Sequence, residues 1–388
     1  MKKHVIYADN NATTQVAPEV VEEMMPYLTD LYGNASSIHT FGGQVRHAID
    51  TGRERLANLL GAMPCEILFT SCGTESDNAA ILSALETNVK RRKIVTTRVE
   101  HPAVLSLCTE MQQRGYHVEY CPVNHQGRLC VDALSKMVDD ETALVSVMWA
   151  NNETGNVHPI AQIAEMAHQH GALFHTDAVQ AVGKIPMNLS KLSIDFLSLS
   201  GHKLHAPKGV GALYVRRGVK FHPFLRGGHQ EHGLRAGTEN VAGIVALGRA
   251  AQLAEGNMAE ERTRVAAMRD RLESGLLRSC PDAKLNGSPD SRLPNTTNIS
   301  FEYIEGESIL LHLNQFDIAA SSGSACTSGS LEPSHVMRAM GVPYTAAHGS
   351  VRFSLSRYNT NEDIDFILEK VPPIIHLLRD ISPFGRDQ

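Results

Sequence analysis

The 388-residue sequence has no long basic run and no apolar stretch long enough to cross a membrane. A formal net charge of -6 argues against a general nucleic-acid-binding protein, because such proteins need clustered positive charge. A transmembrane helix needs about 20 apolar residues in succession, so no membrane protein is expected. The chain begins with structured-looking sequence and without a signal or Arg-rich transit peptide, which predicts a cytoplasmic protein.

The sequence also lacks the usual cysteine and histidine patterns of metal sites. Its seven cysteines are scattered, and no two have C-x-x-C spacing, so neither a disulfide framework nor a zinc site is predicted. The 19 histidines form no H-E-x-x-H pattern, so we predict no metal ligands. Most of the thiols are expected to be reduced, and several to be simply buried.

Short apolar runs alternate with amphipathic stretches through the middle of the chain. This alternation predicts a mostly parallel sheet wrapped by helices. The predicted strands are 66–70, 93–97, 118–122, 143–148, 173–176, 195–199 and 211–215. The predicted helices between them are 75–85, 102–114, 131–138 and 160–170.

The C-terminal third shows a different pattern. A long helical pattern runs from about Asn240 to Arg278, with a break expected near Gly256. The elements predicted after it are a strand at 297–301, a helix from 307, a strand at 318–320, a helix near 335–340, a strand at 350–355 and a helix from 361. Together with the chain length, this pattern predicts two domains, a large one at 16–258 and a smaller α+β one at 1–15 and 259–388.

One cysteine, Cys326, lies in a run of small polar residues, S-S-G-S-A-C-T-S-G-S. Glycine and serine leave the backbone free and offer little side chain to bury, so an exposed thiol on a mobile loop is predicted. Exposed thiols can act as nucleophiles. A Ser/Gly linker with an incidental cysteine explains the segment equally well, and the rest of the chain decides between the two.

Two ionisable residues follow predicted strands, where open α/β sheets place their ligands. Lys203, in S-G-H-K, follows strand 195–199, and a lysine whose pKa is lowered can form a Schiff base. Asp177 follows strand 173–176 and can keep a ring nitrogen protonated, as pyridoxal phosphate requires. The ordinary alternatives are a surface lysine and a helix-capping aspartate. Their shared position at strand ends favours the cofactor.

An anion site is predicted where the first strand turns into a helix. Gly73 allows close approach to backbone N–H groups at the helix start, and Thr74 adds a hydroxyl. Ser200 and His202, beside Lys203, are further donors. The turn sequence T-E-S-D is equally a good helix cap, so this motif is weak by itself.

Three further polar residues can reach the same site. His101 lies near a helix N-cap, where an imidazole can stack on a cofactor ring and exchange protons. Asn152 follows a buried strand and can reach the rim. Arg352 lies on an alternating strand of the smaller domain, and its guanidinium can bind an α-carboxylate with two hydrogen bonds. A structural histidine and a strand-edge arginine are the alternatives.

These motifs, in this order, resemble the class V aminotransferase group and, more closely, the cysteine desulfurases that supply sulfur for iron–sulfur clusters. The motifs are S-G-H-K-L-H-A-P-K-G, H-T-D-A-V-Q, T-S-C-G-T-E-S-D-N, V-E-H-P-A-V and S-S-G-S-A-C-T-S-G-S-L-E-P-S-H-V. The similarity runs from about residue 9 to residue 358. Details such as M-W-A-N-N-E-T-G most resemble the nitrogen-fixation, NifS-like branch, to which the IscS-like branch is close.

The resemblance implies an α/β fold, the PLP-dependent transferase fold type I. In it, a large domain with a mostly parallel sheet wrapped by helices carries the cofactor, pyridoxal 5'-phosphate. A smaller α+β domain carries the catalytic cysteine in a loop at 321–331.

The resemblance also implies roles for individual residues. Lys203 would hold the cofactor covalently, Asp177 would pair with its ring nitrogen, and Gln180 would pair with its ring hydroxyl. His101 would stack on the ring. The residues implied to bind the phosphate are Gly73, Thr74, Ser200 and His202.

A threonine of the neighbouring subunit completes the phosphate site in this family. Thr238, in R-A-G-T-E-N, matches that threonine, which implies a homodimer. Asn152 would contact cofactor or substrate, and Arg352 would bind the substrate carboxylate. His232 stands where relatives usually have arginine, which is a small departure.

The implied activity is conversion of L-cysteine to L-alanine, with the sulfur passed to Cys326 as a persulfide. The acceptor of that sulfur would be an iron–sulfur scaffold protein, as in nitrogenase assembly. A selenocysteine lyase or another C–S lyase remains an alternative that would not need Cys326. An ordinary aminotransferase and a non-catalytic scaffold are others, and intact Lys203 and Asp177 argue against the scaffold.

Overall fold

A computed structural model describes residues 5–322 and 332–383 of the chain. Cys326, and with it most of the predicted 321–331 loop, lies outside the described residues. The strands are β1 (Ile6–Tyr7), β2 (Ile67–Thr70), β3 (Lys93–Thr97), β4 (His117–Cys121), β5 (Thr142–Ser146), β6 (Leu173–Asp177), β7 (Phe196–Ser200), β8 (Gly211–Val215), β9 (Ala283–Leu285), β10 (Thr296–Phe301), β11 (Ile318–Ala319), β12 (Ser321–Ser322) and β13 (Ser350–Ser354).

The largest sheet has seven strands in the order β2-β8-β7-β6-β5-β3-β4. Strand β8 runs antiparallel to its neighbours, and the other pairs are parallel. Strands β3, β5 and β7 are buried along their whole length, as in a parallel sheet covered on both faces. The predicted mostly parallel sheet is therefore confirmed, and the carboxyl ends of its parallel strands meet at one edge.

Helices pack around this sheet and the smaller one. They are α1 (Pro18–Met24), α2 (Pro26–Thr29), α3 (Thr40–Leu60), α4 (Gly73–Thr87), α5 (Pro102–Gln113), α6 (Val131–Met137), α7 (Ile160–Gln169), α8 (Val241–Glu260), α9 (Ala266–Ser279), α10 (Gly306–Gln315), α11 (His335–Ala339), α12 (Tyr344–His348) and α13 (Asn361–Asp380). None of these helices is long and apolar enough to cross a membrane.

The N-terminal helices were not predicted from the sequence. A signal for α3 was present, because Val45, Ile49 and Leu56 recur at helical spacing and are buried. Helix α3 packs closely on α8 where two glycines meet: a Cβ added at Gly248 would lie 2.4 Å from the Cα of Gly52. Such an approach requires glycine on both helices.

The break expected near Gly256 is wrong. Helix α8 continues through that glycine to Glu260, and a π-helical turn, Glu261–Val265, joins it to α9. One glycine is tolerated inside a helix at a cost of about 1 kcal/mol, so it does not by itself end one. The π-helical turn carries the chain from one helix into the next without a glycine.

A smaller α+β region comes after α8. Its antiparallel sheet has the order β12-β13-β10-β9, and β1 pairs in parallel with β11, which joins the N-terminus to this region. A separate apolar core lies between this sheet and helices α9, α10 and α13, with Leu272, Phe301 and Ile367 among its buried members. The domain limits 16–258 and 1–15 with 259–388 remain a prediction.

Candidate active site

A cavity of about 320 Å³ opens at the carboxyl edge of the parallel strands. Its walls come from the segments that follow β2, β3, β5, β6 and β7, together with the segment after β1 and strand β13. The predicted site residues that line it are Gly73, Thr74, His101, Asn152, Asp177, Gln180, Ser200, His202, Lys203 and Arg352. Thr238 is exposed and is not part of this lining in its own chain.

The start of α4 forms one wall. The backbone N–H of Ser71 donates to Glu75 Oε2 at 2.8 Å, and Arg235 Nε donates to the other oxygen of that carboxylate at 2.9 Å, which fixes the turn before the helix. A Cβ added at Gly73 would lie 2.8 Å from Val179 Cγ2, so only glycine lets the helix start come this close. The first N–H groups of a helix attract anions.

His101 caps helix α5, as predicted. Its Nδ1 accepts a hydrogen bond from the backbone N–H of Ala103 at 3.2 Å. Because Nδ1 is an acceptor, the proton of the neutral imidazole is on Nε2. His101 therefore presents a proton donor on the ring edge that Ala103 does not occupy.

Asp177 is the last residue of β6 and is only 5% exposed. One carboxylate oxygen accepts from the backbone N–H of Val179 at 2.9 Å. Burial and, secondarily, the nearby Asp77 carboxylate raise the pKa of Asp177 to about 7. A buried carboxylate facing a cavity favours a cationic partner there.

Two more carboxylates are buried close to Asp177, and we call Asp77, Glu100 and Asp177 the acidic cluster. Within the described part of the chain, Asp77 Oδ1 and Glu100 Oε2 have no hydrogen-bond partner. Burial raises the pKa of Asp77 to about 7, and burial together with the other two carboxylates raises that of Glu100 to about 8. Like charges this close cannot all ionise cheaply in a low dielectric.

Side chains that can carry positive charge gather elsewhere around the cavity, and we call Lys184, His202, Lys203 and Arg352 the basic cluster. Lys203 Nζ donates to the backbone oxygens of Ala12, at 2.7 Å, and Asn11. Burial, together with the nearby charge of Lys203, lowers the pKa of Lys184 to about 7 and that of His202 to about 4. Positive charge in this cluster is therefore disfavoured by burial and by neighbouring cations.

Arg352 lies on β13 and is 4% exposed. Its guanidinium donates to the backbone oxygen of Asn152 at 2.9 Å and to Asp9 Oδ1 at 2.7 Å. Arg352 Nε has no partner among the described residues. The predicted arginine is thus inside the cavity wall and already holds one carboxylate.

The described residues on both sides of 323–331 are fixed near the cavity. Ser321 pairs with Arg352 in the β12–β13 ladder. On the other side, Ser334 Oγ donates to Glu153 Oε2 at 2.5 Å, and His335 Nε2 lies 2.9 Å from the backbone oxygen of Glu100. Both ends of the predicted cysteine loop are therefore attached to the walls of the site.

Sequence reasoning missed the contribution of the D-N-N-A segment. The carbonyl of Asn11 accepts from both Lys203 and Gln180, and Asn11 Nδ2 donates to the backbone oxygen of Asn152 at 3.1 Å. Backbone carbonyls leave no mark in the residue type. The available signal was the run of small polar residues directly after β1.

The other cysteines have ordinary surroundings. Cys108, Cys121 and Cys280 are buried free thiols, as expected, and Cys72 is the N-cap residue of α4 at the edge of the cavity. Over residues 5–322 and 332–383, no three His, Cys, Asp or Glu side chains gather in a way that could hold a metal ion.

Residues 6–367 match the family described as Aminotransferase class-V, and the chain belongs to that family. It is 60% identical over 384 residues to a cysteine desulfurase of Trichormus azollae, covering 99% of this chain and 96% of the relative. It is also 60% identical over 380 residues to cysteine desulfurase NifS of Azotobacter vinelandii, covering 98% and 94%. A solved NifS-like protein has a TM-score of 0.91 and 40% identity, covering 97% of this chain and 100% of the other.

The comparisons confirm the predicted family and imply pyridoxal phosphate as cofactor. The cavity fits that group. Asp177 is a buried carboxylate for a ring nitrogen, and the close helix start at Gly73 is a cradle for a phosphate that any Cβ would fill. Lys203 reaches the same cavity.

Proposed function

We propose that the chain is a pyridoxal phosphate-dependent cysteine desulfurase of the NifS-like branch. It converts L-cysteine to L-alanine and transfers the sulfur to Cys326 as a persulfide. Relatives that share 60% identity over nearly the whole chain, and are named cysteine desulfurase, support this activity. The observation that carries it is the meeting of Lys203, Asp177 and Arg352 in one cavity.

The residues that would hold the cofactor divide by the part that they bind. Lys203 would bind it covalently through Nζ, Asp177 would pair with the ring nitrogen, and His101 would stack on the ring. The phosphate would lie against Gly73, Thr74, Ser200 and His202. When bound, the cofactor supplies an electron sink for negative charge on the substrate Cα.

Side chains of the protein would bind the substrate and transfer the protons. Arg352 would bind the α-carboxylate of L-cysteine, with Asn152 beside it, and would exchange part of its pairing with Asp9 for the substrate. Once the substrate amine has displaced Nζ from the cofactor, Lys203 would take the Cα proton on that freed amine, which lies in the same cavity. His101 Nε2 carries a proton that can be donated toward the departing group or returned to the product.

The sulfur step balances without an outside oxidant. The Cys326 thiolate attacks the substrate sulfur, a sulfur–sulfur bond forms, and the carbon–sulfur bond breaks. The electron pair of that bond stays on the carbon fragment, which gains a proton and leaves as L-alanine. The overall change is L-cysteine plus the Cys326 thiol giving L-alanine plus the Cys326 persulfide.

The homodimer is part of the proposal. Exposed apolar side chains occur together in the segment 21–41, where a monomer would leave them in water; they are Val21, Met25, Leu28, Tyr32, Ile38 and Phe41. Thr238 is exposed on its own chain, as a residue serving the neighbouring subunit's phosphate site would be. Sedimentation of the purified protein would measure the assembly.

The persulfide sulfur would pass to an iron–sulfur scaffold protein in the cytoplasm. The name NifS of one relative points to nitrogenase assembly as the setting. A scaffold acceptor needs a sulfur carrier that leaves the cavity, and this is the proposed role of the Cys326 segment.

The test measures L-alanine and sulfide made from L-cysteine by the wild type and Cys326→Ala, with the absorbance of bound cofactor recorded on both. We expect the variant to keep the cofactor spectrum and lose both products. Cys65→Ala, at an exposed cysteine, is the matched control. Production of L-alanine by Cys326→Ala at the wild-type rate would contradict the desulfurase mechanism and favour a selenocysteine lyase or another C–S lyase.

A further inference from the structure

A buried lysine that the proposed chemistry does not use lies beside the cavity. Lys184 is 7% exposed, and its Nζ donates a hydrogen bond to Gln180 Oε1 at 2.9 Å. At the other end of the same amide, Gln180 Nε2 donates to the backbone oxygen of Asn11 at 3.0 Å. The two contacts hold opposite ends of one buried side chain.

These contacts leave the Gln180 amide one orientation. The backbone carbonyl of Asn11 only accepts and therefore requires the amide nitrogen, while Lys184 Nζ donates to the amide oxygen and, as an ammonium, can only donate. A reversed amide would place donor against donor at Lys184 and acceptor against acceptor at Asn11, and both hydrogen bonds would be lost in a buried place. Gln180 lines the cavity, and the second N–H of its amide is the donor that Asn11 does not use.

The backbone brings the lysine to this position. Gly183 has φ +76°, a left-handed conformation that favours glycine, and a Cβ there would lie 2.4 Å from Leu204 Cδ2. The turn after Asp177 therefore needs glycine to return Lys184 to the side chain four residues before it. This contact is built into the turn.

Ionisable groups surround Lys184 on several elements. They are Lys203 and His202 from the turn after β7, His205 from the same turn, Arg352 from β13 and Glu261 from the π-helical turn. Lys203 and Arg352 are cationic, Glu261 is the one carboxylate among these groups, and the two histidines are neutral near pH 7 because burial lowers the pKa of each to about 4. Lys184 therefore experiences repulsion from two cations that one carboxylate only partly offsets. A purely structural position could be filled by an apolar side chain without that repulsion.

We propose that Lys184 is a positioning residue that fixes Gln180 as a hydrogen-bond donor to an anionic oxygen of the bound cofactor. The inference rests on the proposed function, in which that oxygen is the ionised ring hydroxyl. A glutamine free to rotate would also offer its carbonyl oxygen, which repels an anionic acceptor. Lys184 excludes that orientation.

The experiment measures the Kd of cofactor-free protein for pyridoxal phosphate in the wild type, Lys184→Met, Gln180→Ala and the double variant. Each single change is expected to raise Kd about tenfold, because a hydrogen bond involving a charged group is lost. The double variant is expected to bind no more weakly than Gln180→Ala, since Lys184 acts through Gln180. Lys191→Met, at an exposed lysine, is the control and keeps the wild-type Kd.

The absorbance of the bound cofactor distinguishes a role of Lys184 in positioning Gln180 from a role only in stabilising the fold. In Lys184→Met, the pH midpoint of the visible absorbance change of the bound cofactor is expected to rise, because a nearby cation and a fixed donor to the anionic oxygen are lost. Lys191→Met is expected to leave the midpoint unchanged. Thermal melting of the cofactor-free variants records any loss of stability independently.

Two outcomes would overturn the inference alone. In one, Lys184→Met has the wild-type Kd and midpoint; in the other, the effects of the two single changes add in the double variant. Failure of the wild type to bind pyridoxal phosphate would overturn the proposed function as well. If Lys184→Met does not fold, Lys184→Gln replaces it: its amide donates or accepts equally and selects no orientation, so an unchanged Kd would again contradict the inference.

Discussion

The acidic and basic clusters lie at or beside the same cavity, and burial shifts their pKa values in opposite directions. The carboxylates of Asp77, Glu100 and Asp177 hold their protons more tightly than in water. Lys184 and His202 hold theirs less tightly. The fold keeps the two clusters apart, and each has only a few groups of the opposite kind beside it, such as Asp9 at Arg352 and His175 at Asp77. Such an arrangement favours a ligand with a cationic ring nitrogen at one place and an anionic phosphate at another.

The largest effect on kcat is expected at Asp177, and a second member of the acidic cluster, Asp77, serves as its control. Asp177→Asn is expected to lower kcat about 10²- to 10³-fold, because a preorganised charge beside the ring nitrogen is lost. Asp77→Asn is the matched control and is expected to lower kcat only a few-fold. Alanine production under saturating L-cysteine measures both. Equal losses in the two variants would mean that the cluster acts as one unit and that Asp177 has no separate role.

A smaller effect is expected in the basic cluster. Arg352→Lys is expected to raise KM for L-cysteine about tenfold with little change in kcat, because lysine cannot form the two parallel hydrogen bonds of a guanidinium with a carboxylate. The exposed Arg338→Lys is the control. Steady-state kinetics distinguish this from a loss of kcat at unchanged KM, which would assign Arg352 to the chemical step instead.

The smallest expected effect is the pH dependence of stability without cofactor. A carboxyl whose pKa is raised in the folded state stabilises that state below pH 4, relative to higher pH, and this contribution is lost as the pH rises through about 7. A lysine whose pKa is lowered to about 7 stabilises the folded state above pH 10.5, and its contribution is lost as the pH falls through 7.

Near neutral pH, therefore, neither the raised pKa of the carboxyls nor the lowered pKa of Lys184 stabilises the folded state. We expect the rise in Tm on adding pyridoxal phosphate to be largest near pH 7 and smaller at pH 5 and pH 9, by about 2 °C. Differential scanning calorimetry across this range measures it, with pyridoxal lacking the phosphate as the comparison ligand. A rise in Tm that is independent of pH would show that the two clusters do not govern binding.

Much of the site could be predicted because strands and their ends are visible in sequence. The strands before Asp177 and Lys203 are short runs that mix apolar residues with a few small or polar ones, and parallel strands bring the residues at their carboxyl ends to one edge of the sheet. The paired orientation of Lys184 and Gln180 could not be predicted, because it depends on the left-handed turn at Gly183. Backbone carbonyls that act as acceptors, such as that of Asn11, also cannot be predicted from the residue type.

The burial of Glu100 and the π-helical turn after α8 also could not be predicted from the sequence. Glu100 was passed over beside His101, since nothing in V-E-H-P marks a carboxylate as buried without a full set of partners. The limits of most strands were predicted within one or two residues, whereas the π-turn at Glu261–Val265 was not. A π-turn has no residue-type signature comparable to proline or glycine.

The attachment of both ends of segment 323–331 has a kinetic consequence. Four residues of chain lead from Ser322 to Cys326 in the sequence, and each spans at most about 3.6 Å, so the covalent chain limits the Cα–Cα distance between these two positions to roughly 14 Å. A group on so short a tether meets its target at an effective concentration in about the millimolar range. The Cys326 thiol would therefore compete for the substrate sulfur at a local concentration that does not depend on how much enzyme or free thiol the solution holds.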